Sequence, residues 1–300
     1  MDLDFSNEQK LIKDEAVNFL KKECPFSTVK ELEEDEAGYS PKMWQKMAEL
    51  GWLALPFAEA YGGDGGKFMD LVLIEEALGG ALCTSPFFST VVQCGLMLLE
   101  SGSEAQKKEF LPGMIDGKTI MSLAQYEGDG SYQVSDTQTL AIASGDNYTI
   151  SGTKLFAIDA NIADYLIVTA KTGDSEVSLF MVDSKAPGVD ITKLPTIGKD
   201  NNCEVVLKDV AVAGRMMIGS PGSATDAIGK MNAKAAVAKA SEMMGACKVC
   251  IDMTADYAKE RQQYGKPIGG FQVIQHYLSN MLIAYDTNHE YLYRITCMID

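Results

Sequence analysis

The chain has 300 residues, room for two domains or three small ones, and its 46% hydrophobic and 23% charged residues suit a globular protein with a sizeable core. A formal net charge of −16 argues against nucleic acid and anionic membrane as partners, because both select basic surface. No apolar run reaches the roughly 18 residues of a membrane span, so no membrane-embedded role is expected.

The N-terminus, Met1-Asp2-Leu3-Asp4-Phe5, is acidic and lacks the basic region of a secretory signal. Ser6 is a plausible N-cap, and Leu11, Ile12, Ala16, Phe19 and Leu20 follow at helical spacing. Ser40-Pro41 pairs an N-cap with proline at the first helical position, and Gly51 closes the helix of Met43, Trp44, Met47 and Leu50. Tyr61-Gly62-Gly63-Asp64-Gly65-Gly66 is a loop. Further helices are expected over 70–82, 85–99 and 103–113. Short β-rich runs follow, at 120–124, 139–144, 147–151, 165–169, 177–182 and 203–212. Ser144-Gly145-Asp146-Asn147 and Lys171-Thr172-Gly173-Asp174 are hairpin-type connections between them. Helical pattern returns near Ser223 and runs to Gln263, breaks at Tyr264-Gly265-Lys266-Pro267, and resumes from Phe271 to the last residue. The organisation is therefore α+β: an N-terminal helical domain (1–117), a middle antiparallel β domain (118–220), expected as a barrel or sandwich, and a partial C-terminal helical bundle (221–300). Two helices bury little by themselves, so another subunit or further helices are expected to cover them.

Seven cysteines, an odd number with no repeated spacing, speak against a disulfide framework and for a reducing, cytoplasmic compartment. Cys247-x-x-Cys250 sits in an alanine-rich helix with no second pair, so both are taken as small packing residues. His276 and His289 are too few for a histidine-based metal site or triad, and no metal is expected.

The most specific stretch runs from Tyr257 to Gln272: Arg261-Gln262-Gln263-Tyr264-Gly265-Lys266-Pro267-Ile268, then Gln272. An arginine ending one helix and an amide opening the next, across a tight turn, suit one shared anion such as a pyrophosphate. The pattern resembles the signature Arg-x-x-aromatic-Gly-x-Pro-Ile-x-x-x-Gln of the FAD-dependent acyl-CoA dehydrogenase family. Gly51–Gly63, Leu71–Ala81 with its Glu75-Glu76 pair, and Phe110-Leu111-Pro112-Gly113 are similar to family stretches, and the resemblance spans essentially the whole chain. It implies FAD as cofactor, held in part by Arg261, Gln263, Tyr264 and Gln272 reaching a neighbouring subunit, and hence a dimer or tetramer. It implies α,β-dehydrogenation of an acyl-CoA thioester, with electrons passed to electron-transfer flavoprotein. It also implies further helices beyond residue 300.

Departures from the family pattern fall at the flavin. Where the family has Thr-Glu-Pro-x-x-Gly-Ser-Asp, the segment Leu123–Tyr132 puts Tyr126 in the Thr place, keeps Glu127 and turns the Pro into Gly128, so a backbone contact survives at Ala124 and Tyr126 but a short hydroxyl is lost. The Trp-Ile-Thr stretch reads Phe156-Ala157-Ile158. Phe156 can still stack on the flavin ring, while Ile158 donates no hydrogen bond. Ser131 is the candidate contact to the CoA chain. In the family a glutamate removes the α-proton as hydride leaves the β-carbon for the flavin. One of its two places falls on Ala235, and no catalytic base is assigned within this chain. Glu242 and Asp252 are read as a solvated helix face. The Ala124-Gln125-Tyr126-Glu127 segment and Ser85-Pro86-Phe87-Phe88-Ser89-Thr90-Val91-Val92 resemble the small-subunit branch of heteromeric members, in which one partner loses flavin-site or base residues, as Tyr126, Ile158 and Ala235 suggest here. The alternative is therefore a supporting subunit of a heteromeric acyl-CoA dehydrogenase.

Overall fold

A computed structural model describes residues 5–300, so the Met1–Asp4 stretch read above for a signal lies outside the described residues. The helices in chain order are α1 (Asn7–Glu23), α2 (Phe26–Glu33), α3 (Pro41–Glu49), α4 (Phe68–Gly80), α5 (Leu96–Ser101), α6 (Glu104–Ile115), α7 (Ala224–Glu260) and α8 (Gln272–Ile299). Strands are β1 (Met121–Ala124), β2 (Leu140–Ser144), β3 (Asn147–Ile158), β4 (Tyr165–Lys171), β5 (Val177–Asp183), β6 (Val189–Lys193), β7 (Asn202–Ala213), β8 (Met217–Ile218), β9 (Gln262–Gln263) and β10 (Lys266–Pro267). Two compact units are formed. The first takes the chain to Val29, Lys67–Cys83 and Ala236–Asp300; the second takes Lys30–Gly66 and Thr84–Ala235. No described helix is long and apolar enough to cross a membrane.

The first unit packs α1, α4 and the C-terminal helices. Ser6 caps α1 through a capping box: its side chain accepts from Gln9 N, and the Gln9 amide oxygen accepts from Ser6 N. Because α4 is apolar on every face but for Asp70, Glu75 and Glu76, it is buried almost throughout. Gly79 and Gly245 let it cross α7 at backbone contact: a Cβ on Gly79 would meet the Glu242 carbonyl, and one on Gly245 the Glu76 carbonyl. Neither backbone can give way as a flexible side chain would. Gly79→Ala is therefore expected to cost about 1–3 kcal/mol of stability, read as a lower urea midpoint at unchanged slope. A wild-type midpoint would show that the crossing is loose.

Glu76 lies in a polar knot within this unit. Lys13 Nζ donates to it at 3.1 Å, His289 Nε2 lies 3.2 Å away, and Tyr293 Oη donates to its other oxygen. Burial pushes Glu76 up, and the His289 and Lys13 contacts more than reverse this, so its carboxyl stays below the ordinary range.

The second unit is built on an eight-stranded sheet of order β6-β7-β3-β2-β4-β5-β8, with β1 also paired to β4. Most pairings are antiparallel, as the sequence implies, but β1–β4 and β2–β4 are parallel. The short run expected over 147–151 continues to Ile158, because Gly152 and a bulge interrupt its alternation without ending the strand. The helix expected over 85–99 is a π-helical stretch, Phe88–Gly95, followed by α5. In α6 a second capping box, Ser103 with Gln106, sets the start. Cys247 and Cys250, read above as packing residues, are both exposed on α7, where Gly245 rather than either thiol makes the close packing contact.

Candidate functional site

The second unit places Tyr126, Phe156 and Ile158 around the end of β1 and the outer part of β3. The ladder between β3 and β7 shifts register between Lys154 and Ala157, and within that bulge Phe156 takes φ +56°. A bulky residue in the left-handed region is strained and persists only where its surroundings impose it. Here the bulge turns the ring outward, leaving Phe156 53% exposed near the end of the strand. Tyr126 follows β1; its carbonyl accepts from Leu155 N at 2.8 Å, which ties the two chains side by side. Its ring packs edge-on to Tyr132 at 5.6 Å. Ile158 closes β3, and its carbonyl accepts from Ser122 Oγ at 2.6 Å. Ala124 is fully buried in the sheet and presents no surface.

A buried ion pair lies under this surface. Lys154 is wholly buried, and its Nζ donates to Glu127 Oε1 at 2.6 Å, Thr169 Oγ1 at 2.8 Å and the Gln125 carbonyl at 3.3 Å. Glu127 also accepts from Gln138 N, Thr139 N and Thr139 Oγ1. Burial pushes the Glu127 carboxyl up, but Lys154 and the Thr139 donors outweigh it and hold it below the ordinary range. Burial also pulls the Lys154 ammonium down, to about 8. The 2.6 Å contact, with three donors on Glu127 Oε1 and one on Oε2, keeps the pair ionised. Lys154 escapes a reading by sequence because it lies beyond the 147–151 run, where a lone lysine is normally taken as solvent-facing.

Ser131 lies in the loop beyond Glu127. Its hydroxyl already donates to Asp136 Oδ2 at 2.6 Å and accepts from Gln133 N at 3.1 Å. A hollow of about 260 Å³ opens nearby between the 127–129 turn, Gln138–Thr139 and Gly152–Thr153.

The first unit holds the other predicted residues. Arg261 follows α7 directly and Gln272 begins α8, as the sequence reading expects. Between them β9 and β10 form a two-residue hairpin with Gln263 opposite Lys266. Its turn residues, Tyr264 at φ +53° and Gly265 at φ +79°, give the double left-handed conformation that matches strand twist. Lys266 Nζ lies over the Phe271 ring at 4.5 Å, and Tyr264 meets the same ring edge-on, so the hairpin is braced from both sides. Arg261, Gln263 and Gln272 are exposed, and Tyr264 is 92% exposed. Arg261 makes no ion pair among the described residues. Ala235, the last residue of the second unit, is buried in α7. Asp252 is exposed and paired with Lys248, as expected, but Glu242 is half-buried, held by Lys239 and close to the buried Glu75.

The three domain families of one enzyme class account for nearly the whole chain. Residues 6–118 match the acyl-CoA dehydrogenase N-terminal domain, 122–210 the middle domain and 224–300 the C-terminal domain. The chain belongs to the acyl-CoA dehydrogenase family. It is 31% identical over 299 residues to the probable acyl-CoA dehydrogenase YngJ of Bacillus subtilis, covering 95% of this chain and 77% of that one. Subunit CarC of the caffeyl-CoA reductase-Etf complex of Acetobacterium woodii is 28% identical over 306 residues, covering 99% and 80%. Butyryl-CoA dehydrogenase from Megasphaera elsdenii superposes with a TM-score of 0.90 at 27% identity, again covering 99% and 80%. Members of the acyl-CoA dehydrogenase family are FAD-dependent oxidoreductases acting on CH–CH bonds.

The residues present fit such a cofactor in chemistry. An outward aromatic face at Phe156 suits a flat ring system, and the Gln125 side-chain carbonyl beside Tyr126 is buried without a partner among the described residues. On the hairpin, an unpaired guanidinium and two amides suit a pyrophosphate.

Proposed function

We propose that this chain acts in the α,β-dehydrogenation of an acyl-CoA thioester, with electrons passed onward to an electron-transfer flavoprotein. The observation that carries this reading is Phe156, a strained, outward aromatic held by a bulge beside Tyr126 and above the Lys154–Glu127 pair. FAD, when bound, supplies the acceptor for the hydride leaving the β-carbon. Phe156 stacks on its ring system, and the Tyr126 and Ile158 backbone frames its edge. Arg261, Gln263, Tyr264 and Gln272 bind the cofactor's phosphates across a subunit boundary in a dimer or tetramer. Ser131 reaches the CoA chain once its proton is released from Asp136. The relation to a subunit of an Etf complex supports the choice of onward acceptor.

The specific second reading is a supporting subunit of a heteromeric enzyme. It is favoured by Ile158 and Tyr126, which offer no short hydroxyl, and by Ala235, which offers no carboxylate. One experiment separates the two. The purified chain is scanned for a flavin spectrum and titrated under argon with a panel of acyl-CoA thioesters. A bound flavin that one thioester class bleaches supports the enzyme. A colourless chain that gains flavin only when co-purified with a homologous partner supports the subunit. A chain colourless in both settings would sink both.

A further inference from the structure

Helices α1 and α4 run side by side in the same direction in the first unit. Gln9 Nε2 donates to Asp70 Oδ1 at 3.1 Å near their starts, and Lys13 Nζ to Glu76 Oε1 at 3.1 Å farther along. Their ends bring two thiols together. Cys24 is the C-cap of α1, with its backbone N–H donating to Leu20 O at 2.8 Å. Cys83 lies just past α4, where Leu82 at φ +50° reverses the chain and Cys83 N donates to Leu78 O at 3.0 Å. The Cys83 thiol hydrogen-bonds to the Cys24 sulfur. The two backbones are thus fixed independently of the sulfurs, each by its own helix end.

The pair is set apart from the other cysteines. Cys94 and Cys203 are buried in the second unit, where Cys203 Sγ faces Asn161 Oδ1 and the Asn201 carbonyl. Cys247 and Cys250 are exposed single thiols on α7, and Cys297 lies on α8. Within the contacting pair the accessibilities differ. Cys24 is 4% exposed, whereas Cys83 is only partly covered. One sulfur can meet a small oxidant while the other waits behind it, the arrangement a resolving thiol requires.

We propose that Cys24 and Cys83 form a peroxide-responsive disulfide that staples the end of α1 to the end of α4. The Cys83 sulfur attacks the peroxide O–O bond, which breaks to give the Cys83 sulfenic acid and water. The Cys24 sulfur then attacks the sulfenic sulfur. An S–S bond forms, the S–O bond breaks, and the departing hydroxide leaves as water with the Cys24 proton. Two electrons pass from the thiols to one peroxide, and two waters result. The staple closes a loop of roughly 60 residues, long enough to restrict the unfolded chain strongly.

The test uses the full chain with one equivalent of hydrogen peroxide, followed by alkylation, denaturation and peptide mapping. The expected result is a Cys24–Cys83 linked peptide, two of the seven thiols lost, and a melting temperature raised by about 5–10 °C that dithiothreitol reverses. Cys24→Ser should keep the peroxide reaction at Cys83 but stop it at a sulfenic or sulfinic acid. Recovery of Cys83 as a sulfinic acid in the wild-type chain, with Cys24 alkylated, would overturn the proposal. So would a linked peptide that leaves the melting temperature unchanged.

Discussion

Glu75→Gln should make the protein more stable at neutral pH, by about 3 kcal/mol at pH 7 and with no gain at pH 4.5. Glu75 sits on α4 with 1% of its surface exposed, and its Oε1 has no hydrogen-bond partner. Burial, and then Glu242 on the facing α7, push its carboxyl up to about 8 against the smaller pull of Lys239. In the unfolded chain the same group releases its proton near 4.5. Folding above that pH therefore requires taking up a proton, and stability falls as pH rises until about 8, where the folded state also ionises. Each pH unit in that window costs about 1.4 kcal/mol, and glutamine removes the slope without changing the shape. Urea unfolding of both proteins at pH 5, 6.5 and 8 measures it. Curves that run parallel across the three values would mean that Glu75 is ionised and solvated in the folded state. The same substitution leaves the neighbouring Glu76 knot intact, since its partners Lys13, His289 and Tyr293 lie on α1 and α8.

The elements that report on themselves in sequence are those with local chemistry. Ser6 with Gln9 and Ser103 with Gln106 are complete capping boxes written in four residues each, and Ser40-Pro41 starts α3 as expected. The Arg261–Gln272 hairpin is legible because Gly265 and Pro267 must break a helix. What escapes is decided by partners distant in sequence. The π-helical Phe88–Gly95 carries the same apolar run as a buried α-helix, so periodicity cannot separate them. β3 reads as ending at Ser151 because Gly152 looks like a turn. It is instead a gap left for Thr139, whose side chain occupies the space a Cβ would need. Losing the rest of β3 hides Lys154 and with it the floor of the candidate site. The burial of Glu75 and Glu76, by contrast, follows from α4 being apolar all round. A helix with no polar face leaves a carboxylate nowhere to reach water.

Lys154→Met is expected to cost about 3–5 kcal/mol, a drop on the order of 10 °C in melting temperature. The loss comes less from the ion pair than from what its removal strands. Glu127 would keep its place among the Gln138, Thr139 and Lys154 positions with no cation beside it, and the Gln125 carbonyl and Thr169 hydroxyl would lose a donor. Adding Glu127→Gln removes the uncompensated charge while keeping an oxygen for Thr139 N and Thr139 Oγ1; only the Gln138 N–H, which donates to the other carboxylate oxygen, is left to water. The double variant should regain at least half of the loss. The pH dependence has a definite sign. In the wild type the depressed Glu127 carboxyl contributes stability above its unfolded value, lost as pH falls through the folded one. Without Lys154 the carboxyl rises instead, so the damage is larger at pH 8 than at pH 5. Thermal melts of the two single variants and the double at both pH values close the cycle. A double variant no better than Lys154→Met would place the energy in the lysine's packing rather than its charge. Flavin content of the same samples extends the cycle to the site. Lys154 opens the bulge that turns Phe156 outward, so if Phe156 holds the cofactor, flavin should fall with the single variant and return with the double.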